Sequence, residues 1–167
     1  METTVKTLAV DTAASAERAL NAAILNADIT RSYEEYLTLI DRYYAEDVEV
    51  SSDVSLHPLA GRHRLKSLLL GFLAPLHMVA EIGGLWVSLH EASIAGDSID
   101  EQHSEWCLEL IGVTARRVTR TWCVRRTWKQ SRVVSEYHYA HRHEGEALSL
   151  DDLHIAVPRD PETVKPS

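Results

Sequence analysis

The strongest constraint on the fold lies in the second half of the chain, where strand-forming residues dominate from residue 85 to residue 141. Four segments there are rich in β-branched and aromatic residues, and short turn-type sequences separate them: 85–90, 99–111, 118–128 and 133–141. This succession predicts four strands joined by hairpins. Because strands of one meander twist, such a sheet curls and leaves a concave side for other elements to cover.

The first half of the chain predicts three helices. Residues 12–26 combine alanines with leucine and isoleucine at helical spacing. A second helix starts at the cap candidate Ser32 and ends near Ala45, and a third runs from Arg62 to about Leu73. Residues 1–11 show no clear period and residues 143–167 hold few large apolar side chains, so a loose arm and an extended tail are expected there.

Helices segregated from an antiparallel sheet indicate the α+β class. Val48 and Val50 mark one short strand between the helices, and Pro75 is expected to kink or end the third helix. The predicted architecture is a cone, in which three N-terminal helices wrap a curved antiparallel sheet of four long strands plus one short strand. Residues 1–167 form a single domain in this interpretation.

Composition excludes several classes of function. The chain has 167 residues and a formal net charge of −8, which argues against nucleic acid as a partner, although residues 116–132 form a local basic run without an acid. Only two cysteines, Cys107 and Cys123, are present, which favours a reduced, cytoplasmic setting. Neither a signal peptide nor an apolar run of about 18 residues is evident, so no membrane contact is expected.

Three short motifs carry a family resemblance. Residues 44–50 (Tyr-Ala-Glu-Asp-Val-Glu-Val), Gly61 followed by Arg62, and the hairpin sequence 126–136 occur in the order found in the NTF2-like superfamily. That superfamily includes ketosteroid isomerase and the SnoaL-like polyketide cyclases, and the resemblance covers residues 12–142. It implies a sheet wrapped around an apolar pocket and a homodimer formed through the outer sheet face.

The resemblance also implies an activity, that of a SnoaL-like cyclase or isomerase of natural-product biosynthesis. Such an enzyme closes a ring within a small, apolar, polyketide- or terpenoid-like substrate by general acid–base catalysis without a cofactor. The ring could arise by epoxide opening to a cyclic ether such as a pyran, or by an aldol-type step. A dehydratase, an epoxide hydrolase and a non-catalytic ligand-binding protein are the alternatives on the same fold.

Glu136 is the first catalytic candidate, because the corresponding position in the family points into the cavity. A buried carboxylate there would have a raised pKa, which suits a general acid or base. If Gln130 and Ser131 form a two-residue turn, Arg125 lies opposite Glu136, whereas a one-residue slip would change every partner. The alternative is a structural cross-strand pair between Glu136 and Arg125.

His103 is the second catalytic candidate. It lies in the middle of a predicted strand, with Glu101 and Glu105 on the same face. An imidazole beside a carboxylate can accept and return protons near neutral pH, and the SnoaL-like cyclases place a histidine and an acid on the sheet wall. The alternative is that this alternation of charged residues marks the solvated face of the strand.

Six further residues are predicted to bind substrate: Tyr44, His90, His138, Arg125, Trp106 and Asp53. The isomerase's base would fall on Ser52, one residue before Asp53. No metal site is expected, because strand alternation places His138 and His141 on opposite faces and they would not converge.

Overall fold

The computed structural model describes residues 2–27, 32–95 and 98–148. Its elements follow in the order α1 (Glu2–Asn26), α2 (Tyr33–Tyr43), β1 (Tyr44–Ser52), β2 (Leu59–Ala60), α3 (Arg62–Gly83), β3 (Trp86–Ile94), β4 (Glu101–Ile111), β5 (Arg117–Lys129) and β6 (Arg132–Gly145). The α+β class is confirmed, with the three helices preceding strands β3 to β6.

The sheet has six strands in the order β2-β1-β6-β5-β4-β3. Strands β3 to β6 form the predicted antiparallel meander. Strand β1 pairs parallel to β6, and the two-residue strand β2 pairs antiparallel to β1. The prediction of an all-antiparallel sheet with one short strand is therefore wrong in these two respects. Long connections separate β1 from β6, so no tight turn fixes their relative direction.

Two helix boundaries differ from the prediction. Helix α1 begins at Glu2, where a loose arm was expected, because no Gly or Pro interrupts the chain before Asn26. Helix α3 continues through Pro75 and ends at Gly83, followed by Gly84 in the left-handed conformation that commonly ends helices. Pro75 cannot donate to the carbonyl of Gly71, but both residues are exposed, so water can satisfy that carbonyl.

Of the predicted tail, residues 143–145 belong to β6, and residues 149–167 lie outside the described residues.

The core lies between the helices and one face of the sheet. Leu20 and Ile24 of α1 and Ile40 of α2 belong to one buried cluster with sheet residues: Val48, Trp106, Val124, Trp128 and Val133. Helix α3 adds only Leu65 to this cluster. The helices therefore enclose the sheet incompletely, and a cavity remains against its inner face.

Helix α3 is long and apolar enough to cross a bilayer by length and composition, contrary to the sequence-based expectation. In the structure it packs against α2, β1 and β2. Leu65, Leu69 and Leu73 line the cavity, whereas Met78 and Ile82 are exposed. One apolar side of this helix therefore forms a wall of the cavity.

Candidate active site

The hairpin between β5 and β6 sets the register of the inner sheet face. Gln130 and Ser131 both have positive φ angles, 49° and 60°, and Lys129 pairs with Arg132. These are the features of a two-residue turn whose twist matches that of the flanking strands. The predicted two-residue turn is confirmed.

A bulge next to this turn changes the partners of Glu136. Trp128 pairs with Val133 but Thr127 pairs with Ser135, so Val134 is an extra residue in β6. As a result Arg126, not Arg125, lies opposite Glu136. The expectation that Arg125 faces the pocket is wrong. Its guanidinium is exposed and lies 5.2 Å from the centre of the Tyr137 ring on the outer face of the sheet.

A second bulge turns the end of β6 inward. Cys123 pairs with Tyr139 and Thr121 pairs with Arg142, so Trp122 faces both Ala140, which has a φ of 54°, and His141. This bulge places His141 on the same face as His138, contrary to the prediction. Among the residues that the structure describes, no group of three or more His, Cys, Asp or Glu side chains is arranged to hold a metal ion.

Asp53 stabilises this second bulge rather than the cavity itself. Its Oδ2 accepts a hydrogen bond of 2.9 Å from the backbone N–H of Ala140, and its Oδ1 lies 3.4 Å from Nε2 of His141. Ser52 Oγ lies 3.3 Å from the same Nε2 atom. Because Ser52 and Asp53 both approach one ring nitrogen, they do not form a nucleophilic triad with His141.

The cavity has a volume of about 830 Å³ and lies between the inner sheet face and all three helices. Its apolar lining includes Ile24, Ile40, Leu65, Leu69, Leu73, Leu89, Trp106, Leu108, Trp122 and Val124. The buried or partly buried polar lining consists of Tyr36, Tyr44, Ser51, Ser52, Thr121, Arg126, Glu136 and His138. The exposed polar lining, called the mouth below, consists of Ser55, His57, Arg120, His141, Arg142 and His143.

Glu136 is the centre of the buried polar group, with only 5% of its surface exposed. One carboxylate oxygen, Oε2, accepts hydrogen bonds from the Tyr44 hydroxyl and, at 2.6 Å, from Nε of Arg126. The other, Oε1, lies 2.7 Å from Nε2 of His138. Three neighbours on the three strands β1, β5 and β6 thus fix this carboxylate.

Arg126 connects Glu136 to helix α1. Its Nη1 donates hydrogen bonds of 2.8 Å to Oε1 of Glu17 and to Oδ1 of Asn21. Glu17 also accepts a 2.8 Å hydrogen bond from the indole N–H of Trp128. Each buried charge therefore has an opposite charge and further hydrogen bonds, the condition under which a buried ion pair is tolerated.

These contacts reverse the pKa shift expected for Glu136. Burial alone would raise its pKa, but the charges of Arg126 and His138 and the hydrogen bonds from His138 and Tyr44 outweigh burial. The pKa of Glu136 is therefore lowered well below its usual range, so this side chain is a permanent carboxylate. It can position a neighbour and balance a charge, but it cannot donate a proton near neutral pH.

Of the three side chains that contact Glu136, His138 is the one that can exchange protons. It lines the cavity, its side chain is 28% exposed, and its Nε2 faces Glu136. Because a carboxylate only accepts hydrogen bonds, Nε2 carries the proton and Nδ1 is left free to act as a base. Protonation at Nδ1 would give an imidazolium ion, which the Glu136 anion stabilises.

Tyr36 supplies a hydroxyl beside this pair. Burial, followed by the negative charge of Glu136, raises the pKa of Tyr36 to about 12. The phenol therefore keeps its proton and acts as a hydrogen-bond donor. No side chain among the described residues accepts a hydrogen bond from it, so a ligand oxygen can take that place.

His103 does not lie in the cavity. It pairs with Arg125 on the outer face of the sheet, and its Nδ1 lies 3.2 Å from the Tyr139 hydroxyl. The prediction that His103 and Glu136 converge in one pocket is wrong, because the inner face of β4 carries the alternate residues, including Trp106 and Leu108. The solvated-face interpretation of this strand is the better one.

Of the predicted substrate-binding residues, Tyr44, His138 and Trp106 line the cavity. The Trp106 indole N–H donates a 2.9 Å hydrogen bond to Ser104, so this ring presents an apolar wall. His90 is exposed, lies 2.8 Å from Ser88 Oγ, and is not among the lining residues. Asp53 is likewise not among the lining residues, and it contacts the second bulge instead.

Sequence reasoning missed Glu17, Asn21, Tyr36 and Arg126. A signal for the first two was present, because Glu17 and Asn21 are four residues apart and share a helix face with Leu20 and Ile24. Polar side chains on such an apolar face indicate buried partners. Arg126 could not be identified without knowing that Val134 is a bulge.

Comparisons with known proteins support the fold. No protein-family profile matches the chain, and no curated protein has a matching sequence. Among solved structures, an NTF2-like protein of unknown function from Cytophaga hutchinsonii superimposes with a TM-score of 0.53 at 8% identity, covering 75% of this chain and 96% of that one. A proposed polyketide cyclase from Xanthomonas campestris gives 0.51 at 13% identity, with 75% and 90% coverage.

A third structure, a proposed SnoaL-like polyketide cyclase from Jannaschia sp. CCS1, gives a TM-score of 0.51 at 8% identity, with 74% and 84% coverage. The chain therefore has the NTF2-like fold, as its motifs predicted. At these identities the likeness concerns the fold, and the chemistry must be argued from the cavity itself.

Proposed function

We propose that this protein is a cofactor-independent enzyme that rearranges a small, largely apolar molecule by proton transfer, with His138 as the acid–base group. The proposed reaction is an intramolecular ring closure of the type carried out by SnoaL-like cyclases. The substrate would be a polyketide- or terpenoid-like intermediate of natural-product biosynthesis.

One observation carries this proposal, the contact of 2.7 Å between His138 Nε2 and Glu136 Oε1 inside an apolar cavity. A protein that only binds an apolar ligand does not need a histidine in its cavity beside a buried carboxylate, whose desolvation is costly. A base that must gain and lose a proton does benefit, because a fixed anion orients the ring and stabilises its charged form. The pair therefore favours an enzyme over a binding protein.

In the proposed reaction, His138 Nδ1 removes the proton from a substrate hydroxyl while that oxygen attacks an epoxide carbon. The epoxide C–O bond breaks, and the Tyr36 hydroxyl donates a hydrogen bond to the oxygen that gains charge. The His138 imidazolium then returns the proton to this oxygen, so that substrate and product are isomers. Positioned proton transfer of this kind contributes roughly 10²–10⁴-fold to a rate.

The cavity wall makes a second contribution. Leucine, isoleucine and tryptophan side chains from both layers would hold a flexible substrate in a folded conformation that brings its reacting atoms together. The same wall excludes water, which would otherwise compete as the nucleophile. An aldol-type closure would use the same groups, with an acidic C–H in place of the hydroxyl and a carbonyl in place of the epoxide, whose oxygen receives the proton as the C–C bond forms.

The test uses nitrobenzisoxazole, an apolar molecule that opens to a coloured phenolate when a base removes its ring proton. The purified protein should accelerate this reaction beyond its rate in buffer. His138→Ala should lower kcat/KM by roughly a hundredfold, in line with the loss of a positioned base. A panel of hydroxy-epoxides, analysed by mass spectrometry and chromatography for isomeric cyclic ethers, then addresses the bond that forms.

His103→Ala is the matched control, because this histidine lies on the outer face of the same sheet. It should keep the full rate. Equal rates for wild type and His138→Ala would overturn the proposal. So would a loss confined to His103→Ala, which would favour the catalytic pair expected from sequence.

A further inference from the structure

The mouth of the cavity carries a surplus of positive charge. Arg120 on β5 pairs with His143 on β6, and both side chains line the cavity. Arg142 and His141 also contribute to the lining. None of the exposed lining residues is an acid, although the whole chain has a net charge of −8.

The neighbouring acids neutralise only part of this surface. Arg142 Nη2 lies 3.0 Å from Oε2 of Glu105, and His141 Nε2 lies 3.4 Å from Oδ1 of Asp53. The side chain of Arg120 has no hydrogen-bond or ion-pair partner within residues 2–27, 32–95 and 98–148. Since a guanidinium group stays charged at any physiological pH, Arg120 presents a permanent positive charge at the mouth.

The inner end of the cavity has the opposite character. Glu17 and Glu136 share the single guanidinium of Arg126, which leaves one negative charge when His138 is neutral. An anion placed at that end would be repelled, whereas one at the mouth would be attracted by Arg120. The charge distribution therefore discriminates between the two orientations of an elongated anionic molecule.

We propose that the ligand of this cavity is an amphiphile, with an apolar body inside and a terminal oxyanion, such as a carboxylate, sulfonate or phosphate, held at the mouth by Arg120. This inference rests on the proposed function for the identity of the cavity as a substrate site, and it adds the substrate class. The anion would fix how far the apolar body reaches and so which of its atoms meets His138. Arg120 is thereby a substrate-orienting residue.

Two fluorescent probes of nearly identical shape test the inference. Anilinonaphthalene sulfonate has the rings of phenylnaphthylamine plus one sulfonate, and both fluoresce in apolar cavities. The wild-type protein should bind the sulfonate about tenfold more tightly than the neutral probe, as expected for a charge-assisted contact, and added salt should reduce the difference. Arg120→Ala should abolish the preference while leaving the affinity for phenylnaphthylamine unchanged.

Arg125→Ala is the control, because it removes the same charge from the same strand but from the outer face. It should keep the preference. The proposed anion site would be overturned if the wild type bound both probes with equal affinity. It would also be overturned if Arg120→Ala kept the preference for the sulfonate. Neither result affects the nitrobenzisoxazole assay, so the anion site and the proposed reaction can fail independently.

Discussion

Replacing Glu136 with glutamine should remove a defined part of the acid sensitivity of this protein. The folded state stabilises the carboxylate form, since Arg126, His138 and Tyr44 outweigh burial and lower the pKa of Glu136. A group with a lowered pKa stabilises the fold above its unfolded-state pKa, and that stability is lost as the pH falls. Wild-type protein should therefore lose stability below about pH 5.

The magnitude follows from proton linkage. An unfolded glutamate has a pKa of about 4.3, and the folded state lowers the pKa of Glu136 well below this value. On acidification from about pH 5 to about pH 3, the excess of protons that the unfolded state binds at this position rises from about 0.2 to nearly one, which lowers the free energy of unfolding by about 1.7 kcal/mol. Glu136→Gln lacks this loss, although near neutral pH it should be less stable by about 3 kcal/mol, because it removes one partner of the buried Arg126.

The assay is urea unfolding followed by circular dichroism at several pH values across this range. Asp41, whose pKa is lowered chiefly by its hydrogen bond from Lys66, contributes to both proteins and cancels in the difference. Glu34→Gln, which removes an exposed charge from α2, should behave like the wild type. If Glu136→Gln and wild type lose equal stability on acidification, Glu136 is not held as an anion in the folded state.

Three further predictions concern neighbouring contacts. Tyr44→Phe removes a hydrogen bond to the Glu136 carboxylate and should lower the free energy of unfolding by about 1.5–3 kcal/mol in urea titrations, whereas an unchanged value would show that the bond is not formed. Nitrogen chemical shifts of the His138 ring should report the neutral tautomer with its proton on Nε2, and a proton on Nδ1 would refute the proposed base. The homodimer expected through the outer sheet face should dissociate in Tyr137→Glu when measured by light scattering, but not in the exposed-loop variant Leu56→Glu.

Strand periodicity was sufficient to predict the meander and, together with the helical first half of the chain, the α+β class. The inward position of Glu136 was predicted from the family resemblance. The two bulges in β6 were not predictable from alternation, because each inserts one residue and exchanges the two faces beyond it. Because of the first bulge, Arg126 rather than Arg125 lies opposite Glu136. The second turned His141 toward His138.

The charge state of Glu136 could not be predicted from the sequence either. Burial was anticipated correctly, and by itself it raises a carboxylate pKa. The opposing influence comes from Arg126, which Glu17 and Asn21 hold from a helix more than a hundred residues earlier in the chain. The sequence of α1 indicates only that Glu17 and Asn21 have buried partners, and it does not identify Arg126 as that partner.

A double-mutant cycle with nitrobenzisoxazole tests the central claim, that Glu136 acts through His138. The four proteins are wild type, His138→Ala, Glu136→Gln and the double variant, with kcat/KM compared at neutral pH after circular dichroism has established that each is folded. If the two residues act as a unit, Glu136→Gln should lower the rate substantially only when His138 is present, and change it by less than about twofold in His138→Ala. Losses that multiply independently in the double variant would contradict the account.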